Sequence, residues 1–558
     1  MSSSKLLGGT DTDSGSSRCS QSSDVDLVLE EVKEESHGKP LSTWMIMALT
    51  CPNFGLQAAW LLLMSSGTPH LHSLGISDAV TALVWLTGPL FGAFVQPVLG
   101  RLSDRSRHPW GLRKPFILCG ASCVAACLLA LACTEDLTGD HVGVGTRPKM
   151  AYGMMKKAER SHLLTQGLAV LWVCVMTFAI QAFQMGVRAL VVDACPPAQQ
   201  VRASAWSTRW NGLGSVCLAL VGYADARWTL FGVEGSARIK TLAALVAVSI
   251  AATVSLMCYV VPDRPRDQGP VEEEKREEKR EEEDDYEEDE EQTLWQTCRS
   301  VWSLQLSRQS WESLPPISLQ VCKMQLVAWM AWFPITYYSS TYIYQTFVIS
   351  DRVHLGTRDD GAFELGQSDY RLIEVARLCG SFSVLSFASV SFLTSLCLPA
   401  VTGHMAARRR SRNRTWHDVG GMPLSRLLVH SQRLLAFCMF LTLFAWTVPV
   451  ATAIVSVAGV SWAVSMWVPF ALINAEIADM RNPSSALYVP GEQAGWILGM
   501  HNMAISLPQL ASALVCSVLF RVFESFRVLD GVAWAFRLSG VAMLVASRYS
   551  GKLESMGV

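Results

Sequence analysis

The stretch GRLSDRSRHPWGLRKP, residues 100–115, places five Lys and Arg residues between two long apolar segments. Gly100 can end one helix, and Pro115 suits the first turn of the next. Basic residues in a short loop of this kind indicate a loop on the cytoplasmic side of a membrane. Asp104 among these bases allows ion pairs that could latch the neighbouring helices. The sequence therefore predicts a gating loop built on Gly100, Asp104, Arg105, Gly111, Arg113 and Lys114.

The composition indicates a membrane protein. Hydrophobic residues make up 50% of the 558 residues and charged residues only 17%, which is too apolar for one soluble core. Segments of roughly 18–25 largely uncharged residues can cross the ~30 Å hydrocarbon core as helices. We therefore predict an all-α membrane protein with twelve transmembrane helices. The predicted spans cover 41–64, 78–100, 116–134, 166–193, 203–225, 239–261, 317–348, 372–400, 433–451, 453–478, 492–520 and 528–547.

An acidic segment divides the spans into two groups of six. Residues 272–291 hold fifteen acids and four bases, which is typical of a solvated linker; docking of a basic partner is the alternative. A second basic loop, ARRRSRNRTWHDVGGMPLSR at 407–426, follows the second span of the second group. Equivalent loops in both groups predict two parallel six-helix repeats. The predicted order is a disordered tail at 1–40, a bundle at 41–261, a linker at 262–316, a bundle at 317–548 and a tail at 549–558.

Both termini and the acidic linker are predicted to be cytoplasmic, since the two basic loops orient the spans. The loop after the third span carries five bases as well and disagrees with this orientation. We give the repeated pattern more weight. The predicted protein is an integral, multi-pass monomer of the plasma membrane rather than the vacuole.

Arg188 interrupts the fourth span, MTFAIQAFQMGVRALVVDA at 176–194. A charge at the centre of a span costs roughly 2.5–3.5 kcal/mol on insertion scales, so it should be paired or functional. Amide and guanidinium groups can form hydrogen bonds with sugar hydroxyls. Such polar groups avoid contact with lipid when they line a cavity inside the protein. Hydrogen bonding between helices, without substrate, is the alternative. At ~100° per residue one face carries Thr177, Gln181, Gln184 and Arg188.

Other spans carry polar and aromatic side chains at similar spacing. An aromatic ring can pack on the apolar face of a sugar while neighbours bond its hydroxyls. Further candidates for substrate binding are Asn53, Gln57 and Trp60 in the first span, Gln325 and Trp329 in the seventh, Arg377 in the eighth and Asn502 in the eleventh.

Three ionisable residues are candidates for proton coupling: His501, Glu476 and Asp193. His501 lies several residues inside the eleventh span and could titrate near neutral pH, with simple packing as the alternative. Glu476 could lie in the cavity or at the cytoplasmic end of its span. Asp193 lies near the cytoplasmic end and suits the gate better than the substrate site.

Gly100-x-x-x-Asp104-Arg105 followed by Gly111-x-Arg113-Lys114-Pro115 resembles the signature loop of the major facilitator superfamily. The longer run at 73–117 looks like plant and fungal sucrose transporters, of the glycoside-pentoside-hexuronide:cation symporter type. It is more distantly similar to the animal membrane-associated transporter protein and prostein group. Further matches are RALVVD, WMAWFPITYY, WVPFALINAEI and GMHNMAISLPQ. The resemblance implies a major facilitator fold and uptake of sucrose or α-glucosides by alternating access.

Two positions depart from the family pattern. Sucrose transporters have an aspartate eleven residues before the helix-4 arginine, and it is their expected proton carrier. Thr177 stands at that position here, and Gln345 replaces a glutamate usual near the end of helix 7. Neither residue can titrate. The resemblance therefore implies a sugar transporter of proton-symporter ancestry, with an uncoupled facilitator, or a non-transporting sugar sensor with an acidic linker, as alternatives.

The sequence lacks the motifs of common enzymes and cofactor proteins. It contains no nucleotide-binding loop, metal-ligand cluster or nucleophile elbow. We therefore predict no enzyme activity, no cofactor and no metal site. The expected partners are the lipid bilayer and a small-molecule sugar, namely a disaccharide. Whether protons are a second substrate stays open at this point. No nucleic-acid partner is expected.

Overall fold

The computed structural model describes residues 40–106, 108–138, 152–230, 237–261, 307–355, 367–408, 418–419, 422–481, 485, 487–489, 493–526 and 530–556. Across these ranges the chain forms twelve long helices. Nine of the described helices are long and apolar enough to cross a membrane. The predicted class, an all-α membrane protein, is confirmed, while the number of twelve membrane crossings stays a prediction.

The first long helix, α1, runs from 43 to 73 in three α-helical segments, Thr43–Thr50, Pro52–Leu62 and Thr68–Ser73, with a π-helical turn at Leu63–Gly67. The other helices of the first half are α2 Asp78–Asp104, α3 Lys114–Ala132, α4 Tyr152–Ala194, α5 Pro197–Leu230 and α6 Ala237–Val260. The second half contains α7 Pro316–Leu355, α8 Gln367–Arg408, α9 Leu424–Leu441, α10 Val448–Met480, α11 Ala494–Ser525 and α12 Gly531–Ser555.

Short elements join the long helices. Two five-residue helices lie at Thr134–Thr138 and Arg308–Glu312, and a 3₁₀ turn lies at Thr442–Phe444. Two strands of two residues, β1 Asp418–Val419 and β2 Met422–Pro423, pair antiparallel before α9. The helix Arg308–Glu312 falls inside the segment 262–316, and α12 extends into the segment 549–558. The described parts of the predicted linker and C-terminal tail thus contain helix, whereas 272–291 and 1–39 lie outside the described residues.

The predicted boundary between the ninth and tenth spans is wrong. We placed these spans at 433–451 and 453–478, but α9 ends at Leu441 and α10 begins at Val448. Pro449 lies in the first turn of α10, where no N–H is needed for the helix ladder. The proline therefore lies at the start of α10, whereas the predicted bounds place it inside the ninth span.

Buried apolar side chains form two large clusters. One consists of residues from 46 to 261, which belong to α1–α6 and their connections. The other is built mainly from α7–α12, with a few residues of α2, α4 and α5 packed against it. Each half of the chain therefore has its own core, and these three helices supply most of the contact between the halves.

The two bundles meet along α2 with α11 and along α5 with α8. In a repeat of six helices α8 is the counterpart of α2, and α11 is the counterpart of α5, so the two seams are equivalent. Glycines allow very close approach in the first seam. A Cβ atom on Gly100 would lie 2.1 Å from the Gly495 carbonyl oxygen, and one on Gly499 would lie 2.5 Å from Pro97 Cα. Here α2 and α11 touch backbone to backbone.

Candidate functional site

Arg113 holds the loop between α2 and α3, at the end of the molecule that we call the loop end. Its buried guanidinium donates to Asp104, Ser103 and Asp193, each at 2.7 Å. Gly111 turns the loop with a φ of +105°, a conformation that favours glycine. Burial lowers the pKa of Arg113, but the charges of Asp193 and Asp104 outweigh it and hold the pKa above its ordinary value. Arg113 therefore stays charged at any physiological pH.

Two carboxylates extend this network to the second bundle. Asp104 accepts the backbone N–H groups of Gly495 and Trp496, at 2.9 Å each, where α11 begins. A negative charge is favourable at a helix N-terminus. Asp193 forms an ion pair with Arg481, at the end of α10, at 2.6 Å. These contacts join the bundles at the loop end. We call the four side chains that make them the latch: Asp104, Arg113, Asp193 and Arg481.

The other predicted gating residues surround the latch. Gly100 packs against Gly495 in the seam. Lys114 donates to the Cys258 carbonyl oxygen at 3.1 Å, which ties α3 to α6. Arg105 is exposed. Its neighbour Arg101 instead stacks on the Trp496 ring, 3.8 Å from the ring centre, and adds a cation–π contact between the bundles.

A second contact between the bundles lies deeper, at Asn502 of α11. Its side-chain oxygen accepts from Arg188 at 3.3 Å, and its nitrogen donates to the Gly92 carbonyl oxygen at 2.9 Å. The Gln184 amide fits with its oxygen towards Arg188, where it accepts at 3.1 and 3.2 Å. The Phe470 ring covers the guanidinium, 4.5 Å from Cζ. We call Gln184, Arg188, Phe470 and Asn502 the Arg188 cluster.

Neutral groups surround Arg188. Among the residues that the structure describes, no acid forms an ion pair with it, in contrast to Arg113. A guanidinium has five N–H donors, and Asn502 and Gln184 use only part of this capacity. Arg188 lies five residues before Asp193, or about 8 Å inside the latch along α4. The cluster can therefore offer donors to a ligand that carries several oxygen atoms.

The polar stripe on α4 divides into two parts. Gln184 and Arg188 contact the second bundle, whereas Thr177 and Gln181 are buried and bond within the first. The Thr177 hydroxyl lies 2.9 Å from the Val173 carbonyl oxygen and 3.2 Å from the Thr87 hydroxyl of α2. Gln181 donates to the Thr177 carbonyl oxygen at 3.1 Å. Thr177 therefore has a hydroxyl with local partners where the family resemblance implies a carboxylate.

The three candidates on α1 are spread over different contacts. Asn53 is buried and donates to the Thr50 carbonyl oxygen at 2.8 Å, within its own helix. Gln57 faces Gly214 of α5, and Trp60 faces Gly88 of α2. Across the described ranges no hydrogen bond joins these side chains to the Arg188 cluster, so the structure does not assemble them into one site.

His501 and Gln325 adjoin the Arg188 cluster. His501 is fully buried, with its Nε2 atom 3.3 Å from the Gln325 amide nitrogen of α7. Its ring centre lies 4.8 Å from that of Phe470, the ring that also covers Arg188. The Nδ1 atom has no hydrogen-bond partner among the described residues. A buried imidazole thus lies behind Phe470 with one nitrogen available.

Aromatic rings line the neighbouring part of the second bundle. Trp329 and Trp332 of α7 lie edge-on to Trp462 of α10, with ring centres 6.0 and 4.9 Å apart. Trp329 is partly buried, and the Trp332 indole N–H has no partner in the described part of the chain. This group offers flat apolar surface with a polar edge.

Two candidates lie away from the Arg188 cluster. Glu476 is fully buried at the loop end, where it accepts the backbone N–H groups of Ile317 at 2.9 Å and Ser318 at 2.6 Å. It therefore caps the start of α7. Of the two positions considered for it, the cavity and the end of its span, Glu476 lies at the end of the span. The Arg377 side chain is 60% exposed and lies 3.3 Å from Glu374, one turn earlier in α8. Asp193, the third proton-coupling candidate, belongs to the latch.

Several contributing residues were missed in the sequence. Phe470 and Trp462 lie in an apolar span that gives no polar signal, and Thr87 differs little from other threonines in spans. Arg481 could have been found, since it is the first base after the tenth span and must face the loop end. Its pairing with Asp193 depends on how the helices pack, which the sequence pattern does not reveal.

Comparison with known proteins gives consistent matches. A model of the Major Facilitator Superfamily matches residues 150–500. The general alpha-glucoside permease of Schizosaccharomyces pombe is 25% identical, over 91% of this chain and 92% of its own length. Sucrose transport protein SUT5 of Oryza sativa subsp. indica is 23% identical, over 88% of this chain and 85% of its own length.

Solved structures support the same fold. A proton:xylose symporter bound to 6-bromo-6-deoxy-D-glucose superposes with a TM-score of 0.53 and 13% identity, over 91% of this chain and 94% of its own. A bacterial homologue of the iron transporter ferroportin gives 0.54 and 12%, over 92% of this chain and 100% of its own. One of these proteins is described as a sugar symporter and the other as related to an iron transporter. The fold alone therefore does not identify the substrate.

Proposed function

Because this chain belongs to the Major Facilitator Superfamily, we propose that it carries α-glucosides such as sucrose or maltose across a membrane by alternating access. The superfamily consists of transporters, so the chain is a transporter and not an enzyme. The observation that carries the proposal is the Arg188 cluster. It joins the two bundles through groups that bind hydroxyls, in a chain similar along nearly its whole length to an alpha-glucoside permease.

The chemistry of the cluster suits a neutral sugar. The guanidinium and the amides of Gln184 and Asn502 together supply donors and acceptors, and sugar hydroxyls need both. Trp329 and Trp462 offer an apolar surface for the face of a sugar ring. A sugar would compete with Asn502 for Arg188. Substrate binding would therefore weaken a contact that holds the bundles together.

The latch supports alternating access. It joins the bundles at the loop end through Asp104 and Asp193, and a passage towards that end opens only when these contacts break. The basic residues of the loop support a cytoplasmic position for this end, with both termini on the same side. In this proposal the structure represents the state that is closed towards the cytoplasm. We place the protein in the plasma membrane as a monomer, with surface labelling of intact cells as the test.

Thr177 favours a second candidate function, an uncoupled facilitator. Its hydroxyl is bonded to Val173 and Thr87, and no titrating group replaces the missing acid at this position. If coupling exists, His501 is the buried titratable group that adjoins the Arg188 cluster. Uptake with and without an inward proton gradient separates the two. Symport is supported if the gradient stimulates uptake and His501→Gln abolishes this stimulation. Facilitation is supported if uptake is equal with and without the gradient.

The test is uptake of labelled sucrose and maltose into proteoliposomes that contain the full chain. Arg188→Lys keeps the charge but loses the planar fork, so kcat/KM should fall roughly 10-fold or more, as for loss of a charge-assisted hydrogen bond. Arg308→Lys is the matched control, because Arg308 is 90% exposed and its ion pair is with Glu312, one turn along the same short helix. Equal uptake by both variants would contradict the site. Sugar binding without flux in the parent protein would favour a sensor.

A further inference from the structure

Gln96 of α2 is fully buried, and neither its amide oxygen nor its amide nitrogen has a hydrogen-bond partner among the described residues. Each unpaired buried polar group costs about 1–3 kcal/mol, whereas an apolar residue of similar size would avoid this cost. Most other buried polar side chains of α2 and α4 have partners, including Ser103 and Thr177. Gln96 therefore has unused bonding capacity in this conformation.

The position of Gln96 follows from its neighbours on α2. Gly92 and Gly100 both face α11, since a Cβ atom on Gly92 would meet Ser506 and one on Gly100 would meet Gly495. At ~100° per residue Gln96 lies about 40° from each of them around the helix, and ~6 Å from each along its axis. It therefore lies in the seam between α2 and α11, midway between two points of close contact.

The same geometry places Gln96 between the two contacts that join the bundles. Gly92, one turn away, accepts from Asn502 of the Arg188 cluster. Asp104, two turns away in the other direction, belongs to the latch. In the proposed cycle, the passage from the Arg188 cluster to the loop end forms as α2 separates from α11 along this part of the seam. Separation would uncover Gln96.

We propose that Gln96 is a sugar-binding residue of the passage that opens at the loop end, hidden in the closed state. This inference rests on the proposed function. Once α11 moves away, the amide can donate to one sugar hydroxyl and accept from another, which satisfies the groups left unpaired in the closed state. Gln96 then binds substrate that enters from, or leaves towards, the loop end. It does not contribute to binding from the opposite face.

The test compares transport in the two directions by Gln96→Leu, in right-side-out and inside-out vesicles supplied with labelled maltose. Loss of one or two neutral hydrogen bonds should raise the KM for entry from the loop end roughly 2- to 150-fold. The KM for entry from the opposite face should change less than twofold. Thr81→Val is the matched control, because Thr81 is also buried on α2, its hydroxyl has no hydrogen-bond partner among the described residues, and it lies four turns from Gln96. It should change neither KM.

Three outcomes would overturn the proposal: unchanged KM values on both faces, equal increases on both faces, or an effect of Thr81→Val equal to that of Gln96→Leu. If Gln96→Leu does not accumulate in the membrane, Gln96→Met provides the same loss of hydrogen bonding with an unbranched side chain. Absence of both maltose and sucrose flux in the parent protein would instead refute the proposed function, and this inference with it. The two failures are therefore distinguishable.

Discussion

Asp104→Asn should open the loop end of the molecule. In the structure the two carboxylate oxygens accept the N–H groups of Gly495 and Trp496 at 2.9 Å each, and one of them also accepts from Arg113 at 2.7 Å. An asparagine of the same shape has a single acceptor oxygen and no charge. One backbone N–H of α11 must then lose its partner, and Arg113 loses the charge of Asp104 while its ion pair with Asp193 remains.

The size of the effect follows from the bonds that are lost. A hydrogen bond to a charged group contributes about 1.5–3 kcal/mol, and each 1.4 kcal/mol changes an equilibrium tenfold. The population open at the loop end should therefore rise roughly 10- to 150-fold. Because the affected N–H groups belong to α11, the closed state is weakened without direct damage to the core of either bundle.

Hydrogen exchange followed by mass spectrometry reports this opening, since Gly495 and Trp496 exchange only when their N–H groups are released. Peptides that cover the start of α11 should exchange roughly 10- to 150-fold faster in Asp104→Asn. Asp136→Asn is the control, because it removes an ion pair to Lys240 whose partners are 40% and 49% exposed. Such a pair contributes little. Unchanged exchange in Asp104→Asn, or an equal rise in Asp136→Asn, would refute the assigned role of the latch.

Three further predictions concern the seam, the α4 stripe and the start of α7. Gly499→Ala should reduce maltose uptake several-fold, because the new Cβ would lie 2.5 Å from the backbone of α2 and prevent closure of the seam between α2 and α11. In the control Gly222→Ala, the new Cβ meets none of the described residues within 4 Å, and uptake should be unchanged. Thr177→Asp should make uptake more dependent on pH, because it restores an acid, and an unchanged pH profile would count against a cavity there. Glu476→Gln should lower the thermal unfolding temperature, because the cap of α7 loses its charge at a cost of about 1.5–3 kcal/mol; an unchanged temperature would contradict the capping role.

The structure of the loop between α2 and α3 was predictable because its chemistry allows few residue types. A turn with positive φ at Gly111, and buried charges that must pair at Asp104 and Arg113, impose requirements that are visible in the sequence. The shared face of Gln184 and Arg188 was predictable for a similar reason. The helical period places them on one face, and a charge inside an apolar helix needs polar or charged neighbours.

The partners across the seam were not predictable. Phe470 and Asn502 meet Arg188 only because α4, α10 and α11 pack together, and no local pattern encodes that geometry. Hydropathy also cannot distinguish an acid at the cytoplasmic end of a span from one that lines a cavity, which is why Glu476 was considered for both positions. Gln96 escaped notice in the sequence because its significance comes from having no hydrogen-bond partner among the described residues, which depends on tertiary packing.

The central claim is that the chain cycles a sugar between two faces through the Arg188 cluster. Solute counterflow tests it most directly, since proteoliposomes preloaded with unlabelled maltose need no proton gradient to take up labelled maltose through a cycling carrier. The parent protein should accumulate label transiently above its equilibrium level, and Arg188→Lys should do so at least roughly tenfold more slowly. A parent protein that shows no transient accumulation of maltose or sucrose would contradict the account.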